Sequence, residues 1–157
     1  MNWKEYVENN LNQTEGSTKF HLSLPVSEES LIDLKSRFGL SELPKDLEEL
    51  YRQSDGIHEI MDETKLWNLI GSVEEVIEMN ETQRSDPGYK DCFMSFDELF
   101  FFSGTAGNGD LFGFVVLHGK FVKSDVYVWN HEDDSRYWVA PDLIKFVEWW
   151  TNGKIKV

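Results

Sequence analysis

The sequence predicts an α+β fold, in one domain that covers residues 1–157, with a central sheet flanked by helices. Two short runs, Leu99–Phe102 and Leu111–Leu117, are almost entirely apolar and are bounded by glycine, which is typical of strands covered on both faces. Val126–Trp129 alternates β-branched with aromatic residues and predicts a third strand. We expect these three strands to form the middle of the sheet.

Five segments have the spacing of apolar residues that predicts an amphipathic helix. They are residues 2–11, 27–38, 43–56, 72–83 and 141–153. Ser27 suits an N-cap, and Ser72 with Glu75 matches the capping-box pattern. Gly39 and Gly153 are typical of positions where helices end.

The rest of the chain divides into short strands and loops. Three segments are predicted as extended chain: Leu66–Ile70, Tyr137–Val139, and Phe20–Val26 as an edge strand or lead-in. Residues 13–18 and 85–91 are predicted loops, and residues 133–136 an exposed turn. There is no internal repeat and no linker, in keeping with one domain.

The chain is strongly acidic, and the acidity is uneven. Its net charge is −14, from 15 Lys and Arg against 29 Asp and Glu, and residues 111–157 carry six of each. The whole excess therefore lies before Leu111. Such a surface repels phosphate backbones, so we expect no direct nucleic-acid binding and a preference for a basic protein partner. Acidity that serves solubility alone is the alternative.

The sequence predicts a cytoplasmic protein. The longest apolar runs are far shorter than the roughly 20 residues of a membrane span. Residues 1–8 carry acidic groups where a signal peptide has an apolar segment. The single cysteine, Cys92, excludes an internal disulfide and a cysteine-based zinc site.

No motif for catalysis is present, and we expect neither an enzyme nor a cofactor. The stretch Gly104–Asp110 lacks the Gly-Lys-Ser/Thr of a phosphate loop and is followed by a strand, so a turn is its simplest interpretation. His131 and the carboxylates of Glu132, Asp133 and Asp134 could hold a divalent cation or a small ligand together with Asn108 and Asp110. Because consecutive turn residues point in different directions, we expect no metal there.

The six tryptophans divide into two groups. Four fall on strand or inward helix positions and are predicted to lie in the core: Trp67, Trp129, Trp138 and Trp150. Trp3 and Trp149 are the two that we expect to be exposed. Exposed aromatic side chains serve as anchors in protein interfaces, and Trp149 is therefore a candidate binding residue.

Three stretches together resemble the SUKH superfamily, which includes the yeast Smi/Knr-type cell-wall regulators. The first is the Leu43-Pro-x-Asp-Leu helix with its closing Gly56, and the second is Asn108-Gly-Asp-Leu-Phe112. The third is Val126-Tyr-Val-Trp-Asn-His-Glu132, followed by a helix with Phe146 and Trp149. The resemblance covers residues 28–150. The sequence departs from it at Asn130, where the family usually has aspartate, and at Phe114–Leu117, which stays apolar where a polar residue is common.

The resemblance implies a curved mixed or antiparallel sheet and a role in protein binding. Bacterial members of this size are mostly immunity proteins that neutralise a cognate polymorphic toxin, often a nuclease. The implied function is thus non-catalytic toxin binding in the cytoplasm. Two alternatives remain open: a regulatory adaptor of the Smi/Knr type and a small-ligand or cation-binding domain. The oligomeric state is also open.

The predicted partner site combines acidic loop residues with an aromatic anchor. Its members are Asp110, His131, Glu132, Asp133, Asp134 and Trp149. We expect charge reversal at Asp133 and Asp134 to slow association with a basic toxin domain.

Overall fold

The computed structural model describes residues 1–13, 18–105 and 107–157. The helices are α1 (Trp3–Tyr6, continued by a π-helical turn at Val7–Leu11), α2 (Glu28–Arg37), α3 (Lys45–Tyr51), α4 (Val73–Ser85), α5 (Pro87–Cys92) and α6 (Leu143–Thr151). The strands are β1 (Thr18–Leu22), β2 (Ile57–Met61), β3 (Thr64–Ile70), β4 (Leu99–Gly104), β5 (Leu111–Leu117), β6 (Lys120–Trp129) and β7 (Arg136–Ala140). The predicted α+β class is confirmed.

The strands lie in two sheets, with the orders β1-β2-β3 and β4-β5-β6-β7, and every neighbouring pair is antiparallel. The sheets meet where β3 ends. There, Gly71 N donates to Phe102 O at 2.9 Å, and Ser103 Oγ donates to Leu69 O at 2.7 Å. Strands β5 and β6 are central, as predicted. Strand β4 is instead the first of its sheet and abuts β3.

The β4 strand alternates between two cores, which explains why its sequence is apolar throughout. Phe100 and Phe102 lie in the main core, where Phe102 packs edge-to-face on Phe146 of α6. Leu99 and Phe101 belong to a second cluster on the opposite face, together with Trp129 and other aromatic residues. Full burial of one phenylalanine contributes about 1.5–3 kcal/mol. Coverage of β4 on both faces is therefore a main source of stability.

Three segments differ from the prediction. The helix predicted over residues 43–56 ends at Tyr51, and Gly56 lies beyond it. Residues 57–61, for which no element was predicted, form β2, which pairs with both β1 and β3. Residues 87–92, which lie almost entirely in the loop predicted at 85–91, form α5, because Pro87 occupies the first turn and Asp86 Oδ1 accepts from Gly88 N at 2.7 Å. The predicted loop at 13–18 lies mainly outside the described residues. The caps at Ser27 and Ser72 are confirmed.

The β5–β6 hairpin turns at His118 and Gly119, whose φ angles of 52° and 74° are typical of a type I′ turn. A Cβ atom on Gly119 would lie 2.1 Å from Gly39 O, in the loop that follows α2. Ser41 N also donates to Gly119 O at 2.8 Å. The hairpin tip is thus fixed against the α2–α3 connection at a position that only glycine fits.

We expect Gly119→Ala to lower the free energy of unfolding by at least about 2 kcal/mol, because the methyl group overlaps a backbone carbonyl. Gly39→Ala is the matched control. Gly39 also has a positive φ, but a Cβ atom there would meet nothing within 4 Å, so its loss should be about 1 kcal/mol. Urea denaturation of both variants measures the difference, and equal losses would contradict the proposed overlap.

Candidate functional site

Two loops at one end of the second sheet meet at Asp110 and His131. The register that pairs Leu111 with Trp129 brings the residues just outside both strands together. Asp110 is 2% exposed, and its Oδ1 accepts from His131 N at 3.0 Å and lies 2.7 Å from His131 Nδ1. Its Oδ2 accepts from Asn108 Nδ2 at 3.2 Å. Asp110 and His131, both named as members of the candidate partner site, are in contact, and the carboxylate joins the two loops.

Asp134 ties the β6–β7 turn to the chain segment before β4. Its Oδ1 accepts from Trp129 Nε1 at 2.8 Å, and its Oδ2 accepts from Met94 N at 2.8 Å. Arg136 donates to Asp134 Oδ1 at 3.1 Å and also to the carbonyl oxygens of Met94 and Ser95. The side chain of Asp134 is only 14% exposed. The prediction that the whole turn is exposed is therefore wrong at this residue, since these bonds draw it inward.

The contacts of Asp134 have a consequence for stability in acid. Burial alone would raise the pKa of Asp134, but the hydrogen bonds from Met94 N, Arg136 and Trp129 outweigh it and hold this pKa below its ordinary value. A carboxyl group with a lowered folded-state pKa contributes stability above its unfolded-state pKa of about 3.9 and loses it as the pH falls further.

We expect the stability difference between the wild type and Asp134→Asn to be largest above about pH 5 and to shrink toward about pH 2. Urea denaturation at a series of pH values measures this difference. Asp91→Asn, at an exposed carboxylate, should follow the wild type throughout. A pH-independent difference for Asp134→Asn would contradict the role given to its charged form.

The tip of the same turn carries two exposed carboxylates, Glu132 and Asp133. Asn130 Oδ1 accepts from Glu132 N at 2.8 Å, and Asp133 Oδ1 accepts from Ser135 N at 2.9 Å. Both are short side-chain-to-backbone turns of the kind that Asn and Asp favour. An asparagine at position 130 supplies the same acceptor as an aspartate, so this departure from the family pattern leaves the turn intact.

The aromatic side chains near this turn are distributed differently from the prediction. Trp149 is partly buried, with Lys154 Nζ 3.2 Å from its ring centroid. It packs edge-to-face against Trp138 at 6.0 Å, and Trp138 is 47% exposed although it was predicted to be core. Trp3, predicted to be exposed, is fully buried. The spacing of apolar residues could not predict the exposure of Trp138 or the burial of Trp3. Trp138 lies on β7, which is an edge strand, and α1 is covered by residues that are distant in the sequence.

Two exposed aromatic residues, Tyr137 and Trp138, follow this turn on strand β7. Burial, followed by the charges of Asp110 and Asp133, raises the pKa of the Tyr137 phenol above its ordinary value. The Tyr137 ring therefore lies close to the turn. Exposed aromatic residues beside carboxylates are suited to contact a basic protein.

The cation-binding alternative finds no support in the geometry. Within residues 1–13, 18–105 and 107–157, no group of three or more His, Cys, Asp or Glu side chains is arranged to hold a metal ion. Asn108, Asp110 and His131 are instead hydrogen-bonded to one another.

A second polar cluster, which the sequence analysis missed, is centred on His58. His58 is 9% exposed, its Nε2 lies 2.8 Å from Ser23 Oγ, and its Nδ1 contacts Asn68 Oδ1. Asn68 in turn donates to Glu75. The contacts from Ser23 through His58 to Asn68 resemble the catalytic triad of a hydrolase. The Ser23 N–H, however, already donates to Ser54 Oγ and is not free to stabilise an oxyanion. We interpret the cluster as a link that joins the segment just after β1 to β2, β3 and α4.

Comparison with known proteins identifies a family for this chain. None of the helices in the described part of the chain has the length and hydrophobicity that a membrane span requires. The SUKH_6 family model, described as SMI1-KNR4 cell-wall, matches residues 28–147. The chain belongs to this family. No curated protein matches the chain significantly.

Membership in this SUKH family indicates the kind of ligand that the domain binds. Domains of the family are generally non-enzymatic, and they are associated with immunity to toxins. The matched range runs from the start of α2 to Val147 in α6 and so includes Asp110 and the whole β6–β7 turn. A protein partner is the expected ligand of a SUKH domain.

Proposed function

We propose that this protein is a cytoplasmic immunity protein that binds a cognate polymorphic toxin domain and neutralises it without catalysis. The observation that carries the proposal is the family match over residues 28–147. We propose that the domain extends over residues 1–157, which is supported at its start by α1, since Trp3, Val7 and Leu11 pack into the main core.

The charge of the chain supports a nuclease as the toxin. Nuclease domains carry basic surfaces that bind phosphate, and a partner with a net charge of −14 is attracted to them. Electrostatic attraction of this kind raises the rate of association and would cover the surface that binds nucleic acid. The immunity protein itself would then have no affinity for nucleic acid.

Co-expression with the product of the gene immediately upstream tests the proposal. The upstream product alone is expected to arrest growth, and co-expression is expected to restore it and to yield a stable complex on purification. Gly119→Ala, expressed at the same level, serves as a control with a weakened fold. Growth arrest that persists despite both proteins being present, or no toxicity at all, would contradict the proposal. Several unrelated partners of modest affinity would instead favour a regulatory adaptor.

The acidic β6–β7 turn is predicted to speed association with a basic partner, and the structure shows which of its residues to change. Because Asp134 supports the fold, charge reversal belongs at the two exposed residues, Glu132→Lys and Asp133→Lys. We expect this double variant to slow association with the co-purified partner by roughly 3- to 10-fold at low salt and to leave dissociation nearly unchanged, because exposed charges act mainly on encounter. Stopped-flow kinetics at several salt concentrations measures both rates. An unchanged association rate would exclude the turn from the approach of the partner.

A further inference from the structure

Helices α2 and α4 leave a surface groove of about 730 Å³ between them. Its floor is apolar and includes Val26, Val73 and Ile77, of which Val73 is buried. From Glu29 to Arg37 the groove follows α2 for about 12 Å, at 1.5 Å per helical residue. This length matches three or four residues of extended chain.

The rim of the groove is acidic. Four carboxylates line it: Glu29, Asp33, Asp55 and Glu74. The basic residue among the lining side chains is Arg37, which donates to Asp33 at 2.7 Å and to Glu81 at 3.0 Å. The guanidinium is thus held by carboxylates of this chain at one end of the groove. Glu29 and Glu74 are exposed, and neither forms an ion pair within the described residues.

At its other end the groove continues into a second hollow of about 590 Å³, which shares Pro25 and Asp55 with the first. Leu24 lines this hollow and is 83% exposed. Its backbone is nevertheless fixed, because Asp55 N donates to Leu24 O at 2.8 Å. A leucine held outward on an ordered backbone offers an apolar contact to a partner.

We infer that this groove binds a basic protein segment in which arginine or lysine residues alternate with apolar ones. An extended segment directs successive side chains to opposite sides, so its apolar residues can reach the floor while its cations reach the rim. Charge complementarity selects a protein cation over nucleic acid, which the four carboxylates repel. The inference deepens the proposed function and rests on it for the source of the segment, which is the toxin domain.

The groove and the β6–β7 turn make different contributions to binding. The turn presents Glu132 and Asp133 at its exposed tip, where charges act mainly on the rate of encounter. An occupant of the groove would cover the apolar floor and keep water from its ion pairs with the rim carboxylates. Loss of the rim charges is therefore expected to accelerate dissociation, whereas loss of the turn charges slows association.

A defined peptide tests the groove without knowledge of the toxin. The probe is an acetylated six-residue peptide of alternating arginine and leucine, titrated into the full chain and followed by the backbone amide signals in NMR spectra. Signals of Ser30, Val73 and Ile77 are expected to shift, together with that of Leu24. Matched peptides that replace arginine by glutamate, or leucine by serine, should cause much smaller shifts. Shifts centred elsewhere, or none, would overturn the inference.

Two double variants with the same change in net charge separate the two surfaces. Glu29→Lys with Glu74→Lys should weaken binding of the arginine–leucine peptide at least about tenfold. Glu132→Lys with Asp133→Lys should leave it within about twofold. Because lysine in the first turn of a helix is unfavourable, Glu29→Gln with Glu74→Gln provides a milder variant that should show an intermediate loss. Equal peptide affinity in both lysine variants would overturn the inference.

The same variants in the co-expression experiment distinguish failure of the groove from failure of the proposed function. If the wild type restores growth and the groove variant does not, while the turn variant still does, both proposals are supported. If the groove variant restores growth as well as the wild type, the groove is not the toxin site, although the immunity function stands. If the wild type itself gives no rescue, the immunity function fails, and the peptide titration alone decides the groove.

Discussion

Replacement of Trp129 by alanine is expected to lower the free energy of unfolding by about 3–5 kcal/mol, the range for removal of a large buried aromatic side chain. Trp129 is 1% exposed, and its ring packs edge-to-face on Phe93 and Phe96. Its Nε1 also donates to Asp134, so the substitution removes one of the contacts that hold the β6–β7 turn. Urea denaturation followed by circular dichroism measures the loss.

Two further variants separate the effects of burial and of hydrogen bonding on the loss of stability at Trp129. Trp138→Ala removes the same side chain from the 47% exposed position on β7, and its effect should stay below about 1 kcal/mol. Trp129→Phe keeps most of the ring but leaves Asp134 without the indole donor, which predicts a loss of about 1–3 kcal/mol. If Trp129→Ala and Trp138→Ala were equally destabilising, the second aromatic cluster would not be a core.

The second large effect is expected at Asp110. Asp110→Ala should lower the free energy of unfolding by about 2–4 kcal/mol, because His131 N and Asn108 Nδ2 each lose their acceptor. The loss should be local in origin, since the Asp110 carboxylate joins the loop before β5 to the loop after β6. Chemical denaturation provides the value, and hydrogen exchange at His131 N should accelerate in the same variant.

A double-mutant cycle separates the contact between Asp110 and His131 from the remaining bonds. His131→Ala alone should cost less than Asp110→Ala, because the imidazole is 39% exposed and Asp110 keeps its bond from Asn108. The coupling between the two substitutions is expected to be about 0.5–3 kcal/mol. Strictly additive losses would show that the two side chains do not support each other.

Local patterns in the sequence predicted those elements whose stability is itself local. Ser72 and Glu75 form their capping box within one helical turn, and the apolar runs of β4 and β5 correspond to strands covered on both faces. The Asp86-Pro87 signal that begins α5 was present in the sequence too, but Gly88 favoured a loop interpretation.

Elements that depend on distant partners were not predictable in this way. Strand β2 contains His58, a polar residue that is buried because Ser23 and Asn68 bind both of its ring nitrogens. A search for alternating apolar residues does not detect such a strand. For the same reason, burial of Trp3 could not be read from α1 alone, since its backbone N donates to Gln53, 50 residues further along the chain.

The candidate site was predicted in part. Asp110 and His131 were named from their residue types and lie in contact, whereas Trp138, the more exposed partner of Trp149, was assigned to the core. The α2–α4 groove was not predicted, because its two rims come from segments about 45 residues apart. Charge counts showed that the acidic excess precedes Leu111, but only the fold shows which of these charges line a hollow.

The order of strands in the second sheet has a consequence for how the chain folds. Strands β4, β5, β6 and β7 are neighbours in space in the same order as along the chain, so each pairing closes only a short loop. Short loops have a low entropic cost of closure, and topologies with local pairings fold faster than those with distant ones. The hairpin at His118 and Gly119 can form first and recruit β4 and β7 in turn. In the first sheet, β1 and β2 are separated by α2 and α3, so their pairing closes a longer loop and is expected to form later.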